Sequence, residues 1–138
     1  MKVVKKLLAP VLVVGLLLTS LVTLHNLKDT KKDNVFRIGI SQYITHKSLD
    51  ATRKGFIEEL KKEGYVDGKN IQIDFQNAQG EQRNLKNISK QLAEESDLVF
   101  AIATPSAQSL ANTTKSTPIV FSAVTDPLAA KLVKNLKE

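Results

Sequence analysis

The sequence predicts an α/β fold, a flavodoxin-like parallel sheet preceded by an N-terminal transmembrane or signal helix. Three observations lead there. From Val35 onward, short apolar runs alternate with amphipathic segments, strand then helix, and the pattern recurs four times. Regular strand–helix alternation implies parallel strands joined by crossovers that cover both faces of one sheet. Ahead of Val35 stands a long uncharged apolar stretch behind a basic start.

The first strand is read from "VFRIGIS", rich in β-branched residues. "SLDATRKGFIEELKKEG" follows as a helix, with Leu49, Phe56, Ile57 and Leu60 on one face and Gly64 as its stop. "NIQIDFQNA" alternates Ile71, Ile73 and Phe75 with polar neighbours, which suits a strand near an edge. Leu85, Ile88 and Leu92 give "EQRNLKNISKQLAEES" helical spacing. "DLVFAIAT" is the most continuously apolar run and belongs at the centre of the sheet. Pro105 opens the next helix, "PSAQSLANTTK", where a first-turn proline is tolerated. "TPIVFSAVT" makes a fourth strand. "DPLAAKLVKNLKE" is expected to open a fourth helix of this body, with Leu128, Leu132, Val133 and Leu136 spaced for burial. The expected strand order is 2-1-3-4, as in flavodoxin-like sheets.

Residues 1–27 are expected to form the membrane segment. Lys2, Lys5 and Lys6 precede an uncharged run from Leu7 to Leu24, which as a helix spans about 27 Å, nearly the hydrocarbon thickness of a bilayer. No A-x-A-like exit follows, so an uncleaved anchor is favoured over a cleaved signal peptide. The polar stretch 28–34 reads as a tether, and residues 35–138 as the folded body on the extracytoplasmic face of the cell membrane.

Composition excludes several chemistries. In 138 residues, 42% are hydrophobic and 25% charged, ordinary for one domain with a core. Cysteine is absent, which removes disulfides, thiolate metal sites, thiol catalysis and lipid attachment through cysteine. His25 and His46 alone argue against a multi-histidine zinc centre, and no cofactor is expected. The net charge is +6, but half of it lies in the basic start and the other lysines are interleaved with acids. No nucleic-acid-reading pattern accompanies it. The Asn-x-Ser/Thr triplets at Asn87 and Asn112 read as chance.

In a parallel sheet the ligand sits outside the carboxyl ends of the strands, where strand order reverses. The set there is neutral and hydrogen-bonding apart from a single carboxylate: Tyr43 and His46, Gln76 and Asn77, Thr104, Ser106, Ala107 and Gln108, Thr125 and Asp126. A helix beginning at Pro105 or Ser106 directs unpaired N–H groups and a positive dipole end at the crevice, with the Thr104 and Ser106 hydroxyls beside them. That arrangement suits a carboxylate, although Thr104 as a simple cap is a plain alternative. Asp126 is the single acid in these clusters and the natural partner of an ammonium, unless it too only caps a turn. Opposed in this way, the two ends fit an amino acid zwitterion. Tyr43 then borders an apolar side chain or merely fills a loop gap.

Enzymatic readings are weaker. Ser106, His46 and Asp126 could compose a hydrolase triad, but the G-x-S-x-G elbow is missing. Ser41-Gln42 stand where a phosphate-receiver domain needs acids, and Gly39 alone does not make a nucleotide-binding turn.

The strings "LDATRKGF", "GYVDGKNI", "QNAQG", "AIATPSAQ" and "AVTDP", in that order, make the chain resemble the ABC transporter substrate-binding proteins of the tryptophan/tyrosine uptake type. The resemblance runs from Arg37 to Val133 and implies the first lobe of a type I periplasmic-binding-protein fold. It also implies a non-enzymatic receptor that delivers an aromatic amino acid (tryptophan, tyrosine or phenylalanine) to an ABC permease with its ATPase. Carried onto this sequence, it places the carboxylate near Thr104, Ser106, Ala107 and Gln108 and the ammonium near Asp126. Tyr43, His46, Gln76 and Asn77 then line the opening. Stopping at Glu138, the sequence is expected to hold this lobe incompletely and to lack the hinge and second lobe. It should therefore bind amino acids weakly, if at all, because enclosure between two lobes supplies affinity. Micromolar or tighter binding of tryptophan, tyrosine or phenylalanine would overturn that expectation. The competing readings are a membrane-attached sensory ligand-binding domain and, further off, a serine hydrolase.

Overall fold

The computed structural model describes residues 35–135. The membrane segment expected at 1–27, the tether at 28–34 and Leu136 lie outside the described residues. Among the described residues no helix is long and apolar enough to cross a membrane.

Strands β1 (Phe36–Gln42), β2 (Ile71–Asn77), β3 (Leu98–Ile102) and β4 (Ile119–Ser122) form one parallel sheet in the order β2-β1-β3-β4. This is the expected flavodoxin-like order. Three helices lie between them: α1 (Lys47–Lys62), α2 (Gln82–Glu95) and α3 (Thr104–Thr113). The alternating strand β2 lies at an edge and the apolar β3 in the interior, as polarity demands.

Two apolar clusters hold the layers. On one face Ile38, Ile40, Ile71, Phe100 and Ile102 meet Leu49, Phe56, Ile57 and Leu60 of α1. The Phe56 and Phe100 rings stack there with centroids 4.1 Å apart. On the other face Val99 and Ala101 pack against Leu85, Ile88 and Leu92 of α2 and Ala107 and Leu110 of α3. Gly39 lets α2 approach β1 closely. A Cβ built there would lie 2.7 Å from Ser96 Oγ and 3.2 Å from Leu92 Cβ.

Helix α1 ends as its sequence suggests. Gly64, at φ +90°, donates to the Lys61 carbonyl and Tyr65 donates to that of Leu60, a Schellman motif. The fourth helix expected from "DPLAAKLVKNLKE" does not form across the described residues. One turn starts at Asp126 and closes by the same motif, with Lys131 at φ +56° and bonds from Lys131 to Leu128 and from Leu132 to Pro127. Leu132 then packs on the α2/α3 cluster, whereas Leu128 is left 42% exposed. The apolar spacing was real, but one leucine is seated by the turn and needs no helix.

Candidate functional site

Chain leaving β1 turns to α1 on one face of the sheet, and chain leaving β3 turns to α3 on the other. The crevice between them is the switch point at which α/β sheets bind ligands.

Ala103 decides the shape of the β3 exit. Its φ of 80° and ψ of 155° place it in a region that non-glycine residues rarely enter, at a cost on the order of 1–3 kcal/mol. Surrounding bonds impose it: the Ala103 N–H donates to the Ser122 carbonyl at 3.0 Å, and its carbonyl accepts from Ala107 N at 3.2 Å. The twist starts α3 at Thr104, one residue before the earliest expected start, with Pro105 behind it. Ala103, not Thr104, is therefore the N-cap residue, and no side chain caps the helix. An uncapped helix start leaves amide donors and the positive dipole end available to an anion. Ala103→Gly is expected to raise unfolding stability by about 1 kcal/mol, because relieved strain outweighs the added freedom of the unfolded chain. Urea unfolding monitored by circular dichroism measures it.

The β3 and β4 loops meet at this point. Thr104 Oγ1 accepts from the Thr125 N–H at 3.4 Å, and Gln108 Nε2 donates to the Ala130 carbonyl at 3.4 Å. Thr104 is half-buried, while Thr125, Asp126 and Gln108 are exposed. Asp126 Oδ1 accepts from the N–H groups of Leu128 and Ala129 at 3.0 and 2.9 Å, so that oxygen caps its own turn.

Ser106 and Ala107 lie inside rather than on the rim. Both have zero exposure, and Ser106 Oγ, like Ser41 Oγ, is buried without a hydrogen-bond partner among the described residues. Ser106 supplies its backbone position to the helix start, and its hydroxyl is covered.

On the other side, the loops after β1 and β2 are stitched together. Tyr43 accepts from the Gly80 N–H at 2.8 Å and its hydroxyl donates to the Gly80 carbonyl at 2.9 Å, while its ring packs on the α2/α3 cluster. Asn77 Nδ2 donates to Thr45 Oγ1 at 3.1 Å, and Asn77 Oδ1 accepts from the Gln79 N–H at 2.8 Å. Gln76 turns back along its strand to Asp74, at 3.2 Å. His46 is exposed and caps α1, its Nδ1 3.3 Å from the Ser48 N–H and 2.8 Å from Ser48 Oγ. Among the described residues Ser106, His46 and Asp126 are not joined in a relay: His46 pairs with Ser48, Asp126 caps its turn, and the Ser106 hydroxyl has no partner.

Of the residues predicted from sequence, Thr104, Thr125 and Asp126 are brought together at the uncapped α3 start. Tyr43, His46 and Asn77 are drawn into the scaffold of the opposing loops. Ala103 escaped the sequence reading, since nothing in "AIATPS" marks an alanine in a glycine conformation. Gln42 is also part of the site's framework. A polar residue continuing the Ile38, Ile40 alternation was its available signal.

A family model for ABC transporter substrate binding proteins matches residues 37–138. A tyrosine-binding protein of Clostridioides difficile (strain R20291) is 51% identical over 111 residues, covering 80% of this chain and 32% of that protein. Among solved structures, a ligand-free, open substrate-binding protein with adhesive properties from Clostridium difficile is 52% identical, with a TM-score of 0.72. It is matched over 74% of this chain and 35% of its own. An ABC domain in complex with L-Trp from Streptococcus pneumoniae is 45% identical, also with a TM-score of 0.72, over 76% of this chain and 36% of its own. The chain thus spans about a third of the length of each relative.

Proposed function

The chain belongs to the ABC transporter substrate-binding protein family, and from that premise we propose that it contributes the binding crevice for an aromatic amino acid, tyrosine or tryptophan, taken up by an ABC importer. The observation that carries the reading is the uncapped start of α3 at Ala103, placed at the switch point beside Thr104, Thr125 and Asp126. There the first-turn amides and the Thr104 hydroxyl receive the α-carboxylate, and the remaining oxygen of Asp126 receives the ammonium. Similarity to a tyrosine-binding protein and to an L-Trp complex supports the choice of side chain. Delivery to a permease and its ATPase, and attachment to the outer face of the membrane through residues 1–27, belong to the same proposal. Residues 1–138 taken by themselves offer one wall of that crevice, which gives recognition without enclosure, so this segment alone is expected to bind weakly, about millimolar.

The test is an NMR titration of the chain with L-tyrosine, L-tryptophan and L-phenylalanine. Tyramine, which lacks the carboxylate, and a hydroxyphenylpropionate, which lacks the ammonium, serve as controls. Shifts at Thr104, Thr125 and Asp126 with the amino acids, and much weaker ones with either control, are the expected result. Equal response to tyramine, or none to any amino acid, overturns the reading.

A further inference from the structure

We propose that Gln42 is a positioning residue: its buried amide sets the geometry of the loop between β1 and α1, and through it one wall of the crevice. Gln42 ends β1 and has zero exposure. Its Nε2 donates to the Ile44 carbonyl at 2.9 Å and to Asp50 Oδ1 at 2.8 Å, and its Oε1 accepts from Arg53 Nε at 3.4 Å. Both amide hydrogens and the carbonyl are thereby used, which also defines which end of the amide is which. Arg53 is held in turn: its guanidinium lies 4.1 Å from the centroid of the Phe75 ring on β2, and its Nη2 is 3.7 Å from Asp50 Oδ1.

None of these side-chain bonds serves the ladder of the sheet. One goes to the loop carrying Tyr43, Thr45 and His46, and two go to the first turns of α1. The same loop is fastened at its outer side by Tyr43 on Gly80. Gln42 is the inner fastening, and without it the Ile44 carbonyl and Asp50 lose their buried donor. An apolar side chain of similar volume fills the space but supplies neither bond. Such a substitution therefore frees the loop more than it weakens the core, because a satisfied buried polar network specifies one arrangement of what it joins.

This inference rests on the amino-acid reading only where it concerns affinity. The experiment compares Gln42→Leu and Gln42→Glu with the unaltered full chain, by hydrogen exchange and by titration with L-tyrosine. Glutamate keeps the acceptor for Arg53 and removes both donors. In both variants the amides of residues 44–50 are expected to exchange about tenfold faster while those of Leu85–Leu92 are unchanged, and tyrosine affinity is expected to fall about fivefold. Unchanged exchange in the loop, or equal acceleration throughout the domain, overturns the proposal; so does a loosened loop with undiminished tyrosine affinity. If the unaltered chain binds no tyrosine, the amino-acid reading falls, and the exchange pattern alone decides whether Gln42 positions the loop.

Discussion

Gly39→Val is expected to lower the unfolding free energy of the folded body by about 3 kcal/mol, a large part of what a domain of this size possesses. Two effects oppose each other. Valine has the better strand propensity and restricts the unfolded chain, together worth about 1 kcal/mol in its favour. Against that, even the first added carbon would sit 2.7 Å from Ser96 Oγ and 3.1–3.2 Å from two carbons of Leu92. Leu92 is fully buried among Val99, Ala101 and Leu110, and its Cβ is rigid with α2, so the contact is relieved only by moving the helix off the sheet. Overpacking wins. Urea denaturation measures the loss. A double-mutant cycle identifies its source, since Ser96→Ala removes the nearest atom and should return part of the stability lost in Gly39→Ala. Full stability in Gly39→Val means that α2 does not press on β1 here.

Thr104→Val is expected to cost at least about tenfold in affinity for L-tyrosine with a change in unfolding free energy below about 1 kcal/mol. The two side chains have nearly the same shape, and the bond lost within the protein is the long one to the Thr125 N–H, at 3.4 Å. What disappears is a hydroxyl at an uncapped helix start, where a charge-assisted bond to a carboxylate is worth about 1.5–3 kcal/mol. Affinity and stability should therefore separate. NMR titration and thermal unfolding of the same sample measure both. Parallel losses indicate a purely structural threonine, and unaltered affinity removes Thr104 from the binding wall.

The strands and the first three helices of the body were legible because burial imposes periodicity. Ile38 and Ile40, or Leu85, Ile88 and Leu92, can reach a core only at strand or helix spacing. Polarity along β2 and β3 likewise announced which was edge and which interior. The last segment shows the limit of that signal. Leu128, Leu132 and Val133 fit a helix, but seating Leu132 on the core required one turn and a left-handed Lys131.

The carboxyl edge was legible to the level of which loops meet there, and not to the level of which side chains are taken up by bonds within the protein. Asp126, His46 and Asn77 are residue types that serve equally well as ligand contacts and as partners of a neighbouring backbone amide. Sequence contains both possibilities at once, and only the placement of the nearest N–H chooses between them.

By itself, then, the order of residues determined the parallel sheet, its strand order, and a neutral polar rim at its carboxyl edge, all consequences of periodic burial and of crossover topology. Tertiary structure alone decided that Ala103 is twisted into a conformation suited to glycine, that Ser106 is covered, and that Gln42 and Tyr43 fasten the opposing loop. The twist at Ala103 and the fastening by Tyr43 depend on bonds between segments distant in sequence (Ala103 to Ser122, Tyr43 to Gly80), whose geometry exists only once the sheet has brought the strand ends together, and the Ser106 and Gln42 side chains are covered only once the helices pack on that sheet.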